Sequence, residues 1–382
     1  MELGASAPPD APFSPSGSFF DEARVILLVT AYAQDNTVSR LQQVLTAAGE
    51  QPVVLDTRAM EGSAAVYVSQ SEEGHGRLQF QLGGRRVDAS EIKSALLWRG
   101  WQRFSHDPAL KGLASKAREW AFYKREWKSF CSGLGLALKA SDVFCVNPPP
   151  FHTAYEEKCA QLLVAAQEGL DIPSTLYTAD LRFARDFHQQ QAGSIIYKPF
   201  TPFIRTSGGT AERPERVGTL YTSRVKEEDL QEEEGRVPTP GIFQPYVDKQ
   251  LELRIVIVGR RLFACAIHSQ DSRRTRTDWR RYDLEHVRHE PYELPTQVGD
   301  KLLRLMDRLG LVFGSVDMIV TAEGRFVFLE VNPNGQFDWI AQLAGLPIYE
   351  NLASMLRAGS IHYPLESSSV AWKEVARAAA VG

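Results

Sequence analysis

Asp317, Glu330 and Asn332 offer oxygen atoms inside stretches that otherwise read as buried strands. The segment "GSVDMIVTAEGRFVFLEVN" has the form of a β-hairpin, with glycine at its tip to permit positive φ. If Glu323-Gly324 is a two-residue loop, Ala322 faces Arg325. Counting outward along the strands, Asp317 then faces Glu330. Cross-strand Cβ atoms lie about 4.5–5.5 Å apart, a distance at which two like charges repel. Alternation puts Asn332 on the same face as Glu330. Two carboxylates and an amide oxygen form a hard-oxygen set, suited to Mg²⁺ holding nucleotide phosphates. The competing reading has one carboxylate solvated or paired with an arginine such as Arg325. The apolar flanks, which look covered on both faces, favour the metal. A one-residue slip in register would undo the pairing.

Phosphates also need cations. The chain has no GxxxxGK[ST] loop, and "GLGLAL" at 133–138 lacks the third glycine of a dinucleotide fingerprint, so it reads as the end of a helix. Lys198 in "SIIYKPF" is the better candidate, because a lysine in a β-branched and aromatic strand is costly to bury without a partner. Lys158, on a helix, is a weaker signal alone. The run "SRRTRTDWRRYD" concentrates Arg273, Arg274, Arg276, Arg280 and Arg281 on an acidic chain. It is either a solvated loop or a receptor for carboxylates, which arginine binds with a two-pronged fork. With only Trp279 and Tyr282 interleaved, it is a poor nucleic-acid surface. His268, His286 and His289 read as structural, since HxxH without a third ligand is a weak zinc signal.

The elements that must position these residues are those of an α/β (α+β) protein. At 382 residues the chain has room for two or three domains, and 43% hydrophobic with 24% charged residues marks an ordinary globular composition. "RVILLVTAY", "TVSRLQQVLTAAGE" and "QPVVLDT" read as strand, helix and strand; "ALLWRGWQRF" is a further strand, and "KAREWAFYKREWKSFCSGLG" a long helix closed by its glycines. "NPPP" at 147–150 marks a boundary. Thr153 and Glu156 then form a capping-box pattern at the start of "TAYEEKCAQLLVAAQEGL". Polar segment 205–240 predicts a mobile flap. "GIFQPYV", a hairpin turning at "GRR", an amphipathic helix over "TQVGDKLLRLMDRLGL" and the final hairpin complete the core, followed by a helical tail.

Residues 1–20 have the composition of a disordered tail. No secretory signal and no apolar run of about 20 residues is present, and Cys131, Cys145, Cys159 and Cys265 lack metal-finger spacing. Reduced thiols in a cytoplasm, with no membrane and no nucleic-acid partner, are the expectation. The net charge of −4 gives polyanion binding no support.

Helix lysine, strand lysine, "QPYV", "ELR" and then D…ExN in the last hairpin together resemble an ATP-grasp ligase. "TDWRRYD" and "VFLEVNPNGQFDWI" direct the resemblance toward the graspetide (microviridin-type) peptide ligases, over roughly residues 90–345. This resemblance implies an N-terminal α/β domain at 21–146, a central lid domain at 147–243, a C-terminal metal-bearing domain at 244–360 and a tail at 361–382. Lys158 and Lys198 would contact ATP phosphates. Gln244, Pro245, Tyr246 and Val247 would form the adenine hinge, with Pro245 standing where an acidic residue is expected. Glu252 would take the ribose, Arg254 would reach the transferring phosphate, and Asp317, Glu330 and Asn332 would hold Mg²⁺. Arg280 would position the acyl carboxylate, with Arg273, Arg274, Arg276 and Arg281 binding substrate.

The implied reaction activates Asp or Glu side chains of a ribosomal precursor peptide, leader plus core, as acylphosphates. These then close ester or amide links to Thr, Ser or Lys. The alternative is an ATP-grasp ligase that joins a free amino acid to a small molecule or protein terminus. Homodimerisation is left open by the resemblance.

Overall fold

The first strand, β1 (Val25–Thr30), is buried along its whole length, as a central parallel strand must be. It pairs in parallel with β2 (Val53–Asp56) and β6 (Ile92–Trp98), and β7 (Phe144–Val146) extends the sheet beyond β6. Helix α1 (Asn36–Ala47) starts at Asp35, whose side chain accepts from Thr37 N, and the chain leaves it through Gly49 at φ +85°. The computed structural model describes residues 25–31, 35–57, 64–72, 74–82, 84–99, 117–147, 158–200, 203–210, 213–220, 222–231, 239–281, 283 and 285–364. The expected N-terminal tail, the Thr153–Glu156 capping box and most of "NPPP" lie outside these residues.

Between β2 and β6 the chain adds an antiparallel sheet that the sequence reading passes over: β3 (Ala64–Gln70), β4 (Gly76–Leu82) and β5 (Arg85–Asp88). Helix α2 (Ala117–Ala140) corrects another expectation. It runs straight through Gly133 and Gly135 instead of ending there. Each glycine costs about 1 kcal/mol in a helix interior. Leu134 and Leu138, one turn apart and buried against β1 and β6, outweigh that cost.

Helix α3 (Lys158–Gln167), β8 (Leu176–Thr178), α4 (Leu181–Gln190) and β9 (Ile195–Lys198) follow in order. Within the polar segment expected to be a flap, β10 (Phe203–Thr210) and β11 (Arg213–Leu220) form an antiparallel hairpin. After β12 (Ser223–Arg224), β13 (Gly241–Pro245) pairs with both β8 and β9 to complete a four-stranded sheet. A five-stranded antiparallel sheet comes next, in the order β16 (His289–Tyr292), β15 (Arg261–Ile267), β14 (Leu251–Val258), β17 (Phe313–Val320) and β18 (Phe326–Asn332).

Helix α5 (Thr296–Leu309) covers one face of that sheet through Leu302, Leu305, Met306 and Leu309. The other face packs with α7 (Ile348–Ala358) and the parallel sheet, so Val256, Val258 and Phe313 share a core with Leu28, Leu96 and Trp98. Short helix α6 (Asp338–Leu343) leads into α7. No helix among the described residues is long and apolar enough to cross a membrane.

One buried side chain joins the two sheets. Asn147, at the end of β7, donates from Nδ2 to the carbonyls of Phe313 and Pro333, and its Oδ1 accepts from the amides of Val312 and Phe313. Asn147→Ala would strip four buried backbone groups of their partner, at about 1–3 kcal/mol for each group left unmet. Even with partial relaxation the expected loss is about 3 kcal/mol, a fall of roughly 5 °C or more in thermal midpoint. Differential scanning fluorimetry checks this; a midpoint within a degree of the parent would contradict it.

Candidate functional site

The last hairpin reaches the expected pairing by an unexpected route. Its loop has three residues, Ala322 to Gly324, with Thr321 N bonded to Arg325 O and Gly324 at φ +77°. That shifts the register by one from Val320↔Phe326 to Met318↔Phe328. A bulge at Leu329 shifts it back, so Asp317 does face Glu330, and Ser315 faces Asn332. The bulge also turns Leu329 and Glu330 together toward one cleft, a use to which bulges beside functional sites are often put.

Both carboxylates are paired, but with residues other than Arg325, which is exposed. Asp317 Oδ1 lies 2.9 Å from Arg254 Nη1, its cross-strand neighbour on β14. Glu330 Oε2 lies 3.0 Å from Lys158 Nζ, and its Oε1 is 3.8 Å from Arg280 Nη1. Burial opposes the charge on Glu330, yet Lys158, Arg280 and Lys198 outweigh it and hold the carboxyl down to about 2. Asp317 shifts upward, because burial and the Glu330 charge together exceed the help from Arg254. Desolvation lowers Lys198 to about 8, against the pull of Glu330. Asn332 shares the face but is exposed, and its Oδ1 accepts from Asn334 N at 3.1 Å. Among the described residues no cluster of three His, Cys, Asp or Glu side chains gathers, so this set is two carboxylates and an amide.

Lys158 reaches Glu330 because α3 is clamped to the exposed edge of β18. One turn on from Lys158, Gln161 donates to Val331 O and accepts from Val331 N, at 2.8 and 2.9 Å. Asp171 O accepts from Phe328 N further along the same edge. The sequence reading missed Gln161.

The cleft is lined by Lys158, Lys198, Gln244, Pro245, Tyr246, Val247, Glu252, Arg280, Asp317 and Glu330, and encloses about 810 Å³, part of it open to solvent. Away from the carboxylates its wall carries buried polar atoms that lack a hydrogen-bond partner: Gln244 Oε1, Glu252 Oε2 and the Tyr177 hydroxyl. Such atoms are rare because each costs about 1–3 kcal/mol. Burial pushes up the Glu252 carboxyl against the opposing charge of Lys249, whose Nζ lies 2.6 Å from Oε1. Lys249, also buried, is a second residue the sequence reading passed over.

Of the five arginines in "SRRTRTDWRRYD", only Arg280 lines the cleft. Arg273, Arg274 and Arg276 stand exposed on the loop, and the Arg281 side chain lies outside the described residues. The fork of Arg280 is already occupied. Nε and Nη2 bind both oxygens of Asp278 at 2.9 and 2.8 Å, and Nη2 also donates to Thr222 Oγ1. Only Nη1 points toward Glu330. Asp278 is buried, accepts the Thr222 amide as well, and is held at about 2 by Arg280 despite its burial. An acid between Thr277 and Trp279, next to two arginines, was the signal that could have revealed it. Of the histidines, His268 pairs with Glu290, His286 with Asp283, and His289 packs edge-on against Trp339.

Arg254 does not line the cleft directly. Its Nη1 holds Asp317, its Nη2 donates to Gln336 O at 3.0 Å, and its guanidinium lies over the Trp279 ring. It is one of four donors on successive carbonyls after β18. Asn147 holds Pro333 O, Arg99 holds Asn334 O, Ser315 Oγ holds Gly335 O and Arg254 holds Gln336 O.

The fold is that of ATP-grasp enzymes. No protein-family model matches the sequence, and comparison with curated proteins finds no match. Among solved structures, the chain is similar to macrocyclase MdnC of Microcystis aeruginosa MRC bound with its precursor peptide MdnA, at 26% identity and TM-score 0.72, over 87% of this chain and 99% of that one. Macrocyclase MdnB from the same organism gives 28% identity and TM-score 0.65, over 87% and 99%. A Chryseobacterium gregarium RiPP-associated ATP-grasp ligase, in complex with ADP and a leader and core peptide, gives 23% and 0.73, over 88% and 97%; this last match bears on fold alone.

Gly335 is tightly enclosed. A Cβ there would stand 2.5 Å from Ser315 Cβ and 2.7 Å from Arg254 Nη2. Gly335→Ala is therefore expected to push Arg254 off the Gln336 carbonyl, at an overpacking cost of about 1–3 kcal/mol. A crystal structure of the variant with Arg254 and Ser315 in their parent positions, together with an unchanged thermal midpoint, would refute this.

Proposed function

We propose that the chain is an ATP-dependent ligase that activates a side-chain carboxylate of a ribosomal precursor peptide and closes it onto a hydroxyl or amine of the same peptide. The observation that carries this is the convergence of Lys158, Lys198 and Arg280 on Glu330, across from Asp317, at one end of the cleft. The likeness to peptide-bound MdnC, over nearly the whole of that chain, supports a peptide as the acyl donor. In this reading residues 21–146 are the N-terminal domain, 147–243 the lid and 244–360 the metal-bearing domain, and the protein works in the cytoplasm.

ATP lies with its base against Gln244 to Val247 and its ribose beside Glu252. Asp317 and Glu330, with Asn332 beside them, would hold Mg²⁺. Facing carboxylates, one of them firmly ionised, fit a hard dication. When bound, Mg²⁺ supplies neutralisation of charge on the phosphate oxygens. Lys158 and Lys198 bind those oxygens at the two flanks of Glu330. A carboxylate oxygen of the peptide attacks the γ-phosphorus, ADP leaves, and the acylphosphate carbonyl is open to the acceptor hydroxyl or amine, with phosphate as the leaving group. The Nη1 edge of Arg280, which faces Glu330, orients the acyl carboxylate, while Arg254 keeps Asp317 in place. Arg273, Arg274, Arg276 and Arg281 are the positions from which the loop attracts an acidic peptide.

The test incubates the protein with ATP, Mg²⁺ and a precursor peptide rich in Thr and Glu or Asp, then weighs the product by mass spectrometry. One water is lost per ring closed. If no peptide loses water and a free amino acid is ligated instead, the small-molecule ligase stands in its place. Glu330→Gln, nearly isosteric, should lower turnover by about a hundredfold or more with the fold retained; full activity at saturating Mg²⁺ would remove the metal assignment. Arg280→Ala should leave nucleotide affinity nearly unchanged and slow acylphosphate formation. Arg280→Lys should fail to rescue it, because one ammonium cannot both span Asp278 and present a second donor edge.

A further inference from the structure

The orientation of the Gln244 amide can be derived from its surroundings. The Thr175 hydroxyl carries one proton and donates it to Pro173 O at 2.8 Å. With that proton on Pro173 O, the hydroxyl accepts from Gln244 Nε2, 2.9 Å away. This arrangement meets both Pro173 O and the amide NH₂, and leaves the Gln244 carbonyl Oε1 as the atom without a partner, buried at the cleft wall. Gln244 itself is only 3% exposed, so water does not compensate that oxygen. The neighbours across the sheet fix the face: Ile242, two residues earlier on β13, also lines the cleft, and Tyr177 is its partner on β8.

We infer that Thr175 is the specificity-determining residue of the base pocket, by locking Gln244 as a hydrogen-bond acceptor that selects a purine with an amino group at its 6-position over one with a 6-oxo group. The inference rests on the nucleotide reading of the cleft. A 6-amino group donates to Oε1 and satisfies it. A 6-oxo group sets acceptor against acceptor, and the amide cannot rotate to help without drawing the Thr175 proton away from Pro173 O, which then loses its donor. Discrimination of this kind is large because a buried polar group is left unpaired with the wrong ligand.

The experiment measures binding of ATP and of inosine triphosphate, which carries the 6-oxo group without a 2-amino group, to the full chain by isothermal titration calorimetry with Mg²⁺. The parent protein should prefer ATP by about a hundredfold. Thr175→Val removes the acceptor and frees the amide to rotate. ATP should then bind more weakly and inosine triphosphate more tightly, and the preference should fall at least tenfold. Thr175→Ser keeps the hydroxyl and should keep the preference. A thermal midpoint measured on each variant separates a loss of selectivity from a loss of fold. The inference is overturned if the parent binds both nucleotides equally, or if folded Thr175→Val retains the parent's preference. If the parent binds neither nucleotide, the nucleotide reading of the cleft falls, and the inference with it.

Discussion

Two carboxylates forced to face each other across a buried hairpin set the terms for everything around them. Asp317 and Glu330 cannot both be ionised at that separation without cations close by, and the fold supplies them from separate elements. Arg254 comes from the neighbouring strand, Lys158 from the helix over the sheet edge, and Arg280 from the loop after β15. The two acids divide their environment unequally: Glu330 draws three cations and is held in its charged form, whereas Asp317 depends chiefly on Arg254. Breaking such a pair leaves a buried charge uncompensated, which is far more costly than the pair is stabilising. This gives each cation a fixed position before any ligand arrives.

Fixing charges requires fixing backbone. Edge strand β18 would be a poor platform if its outer edge were open, since unpaired edge groups invite other partners. Gln161 and Asp171 close that edge, and Gln161 does so one helical turn from Lys158, so the same contact that covers the strand aims the lysine. Beyond the strand, four successive carbonyls are held by Asn147, Arg99, Ser315 and Arg254, drawn from both sheets of the shared core. The N-terminal sheet thereby contributes to the site without lining it.

The sequence made the carboxylate pairing legible, though through two errors that cancel. The loop is a residue longer than the pattern "AEGR" suggests, and the bulge at Leu329 restores the count. Neither is visible from alternation, because a bulge leaves no compositional mark in so apolar a strand. Asp317, Glu330 and Lys198 were legible because each is a charged residue out of keeping with its apolar neighbours, whereas Lys158, Gln244 to Val247 and Glu252 came with the family resemblance alone. Residues that hold others in place, such as Asp278, Gln161 and Thr175, escaped for the opposite reason: polar residues in loops and on helices look ordinary until their partners, many residues distant, are known. "GLGLAL" misled because glycine punctuation was weighed without the buried leucines that override it.

The two ends of the cleft are built on opposite principles. At the carboxylate end Lys158 and Arg280 already face Glu330, so an incoming anion must compete with Glu330 for them and gains only the difference. At the far end, Gln244 Oε1, Glu252 Oε2 and the Tyr177 hydroxyl are buried without partners, so a ligand that bonds to them recovers a penalty already present in the free protein. Affinity is therefore expected to come mainly from that far end and to be used at the Asp317–Glu330 end, where it draws phosphates into a place already occupied by a carboxylate. Binding energy from a remote part of a substrate that offsets the cost of arranging its reacting part is what raises a rate rather than an affinity. The division also sets what each end can tolerate. A neutral acceptor can be retuned by one hydroxyl, whereas any neutralising change at a facing acid leaves a cation without its partner.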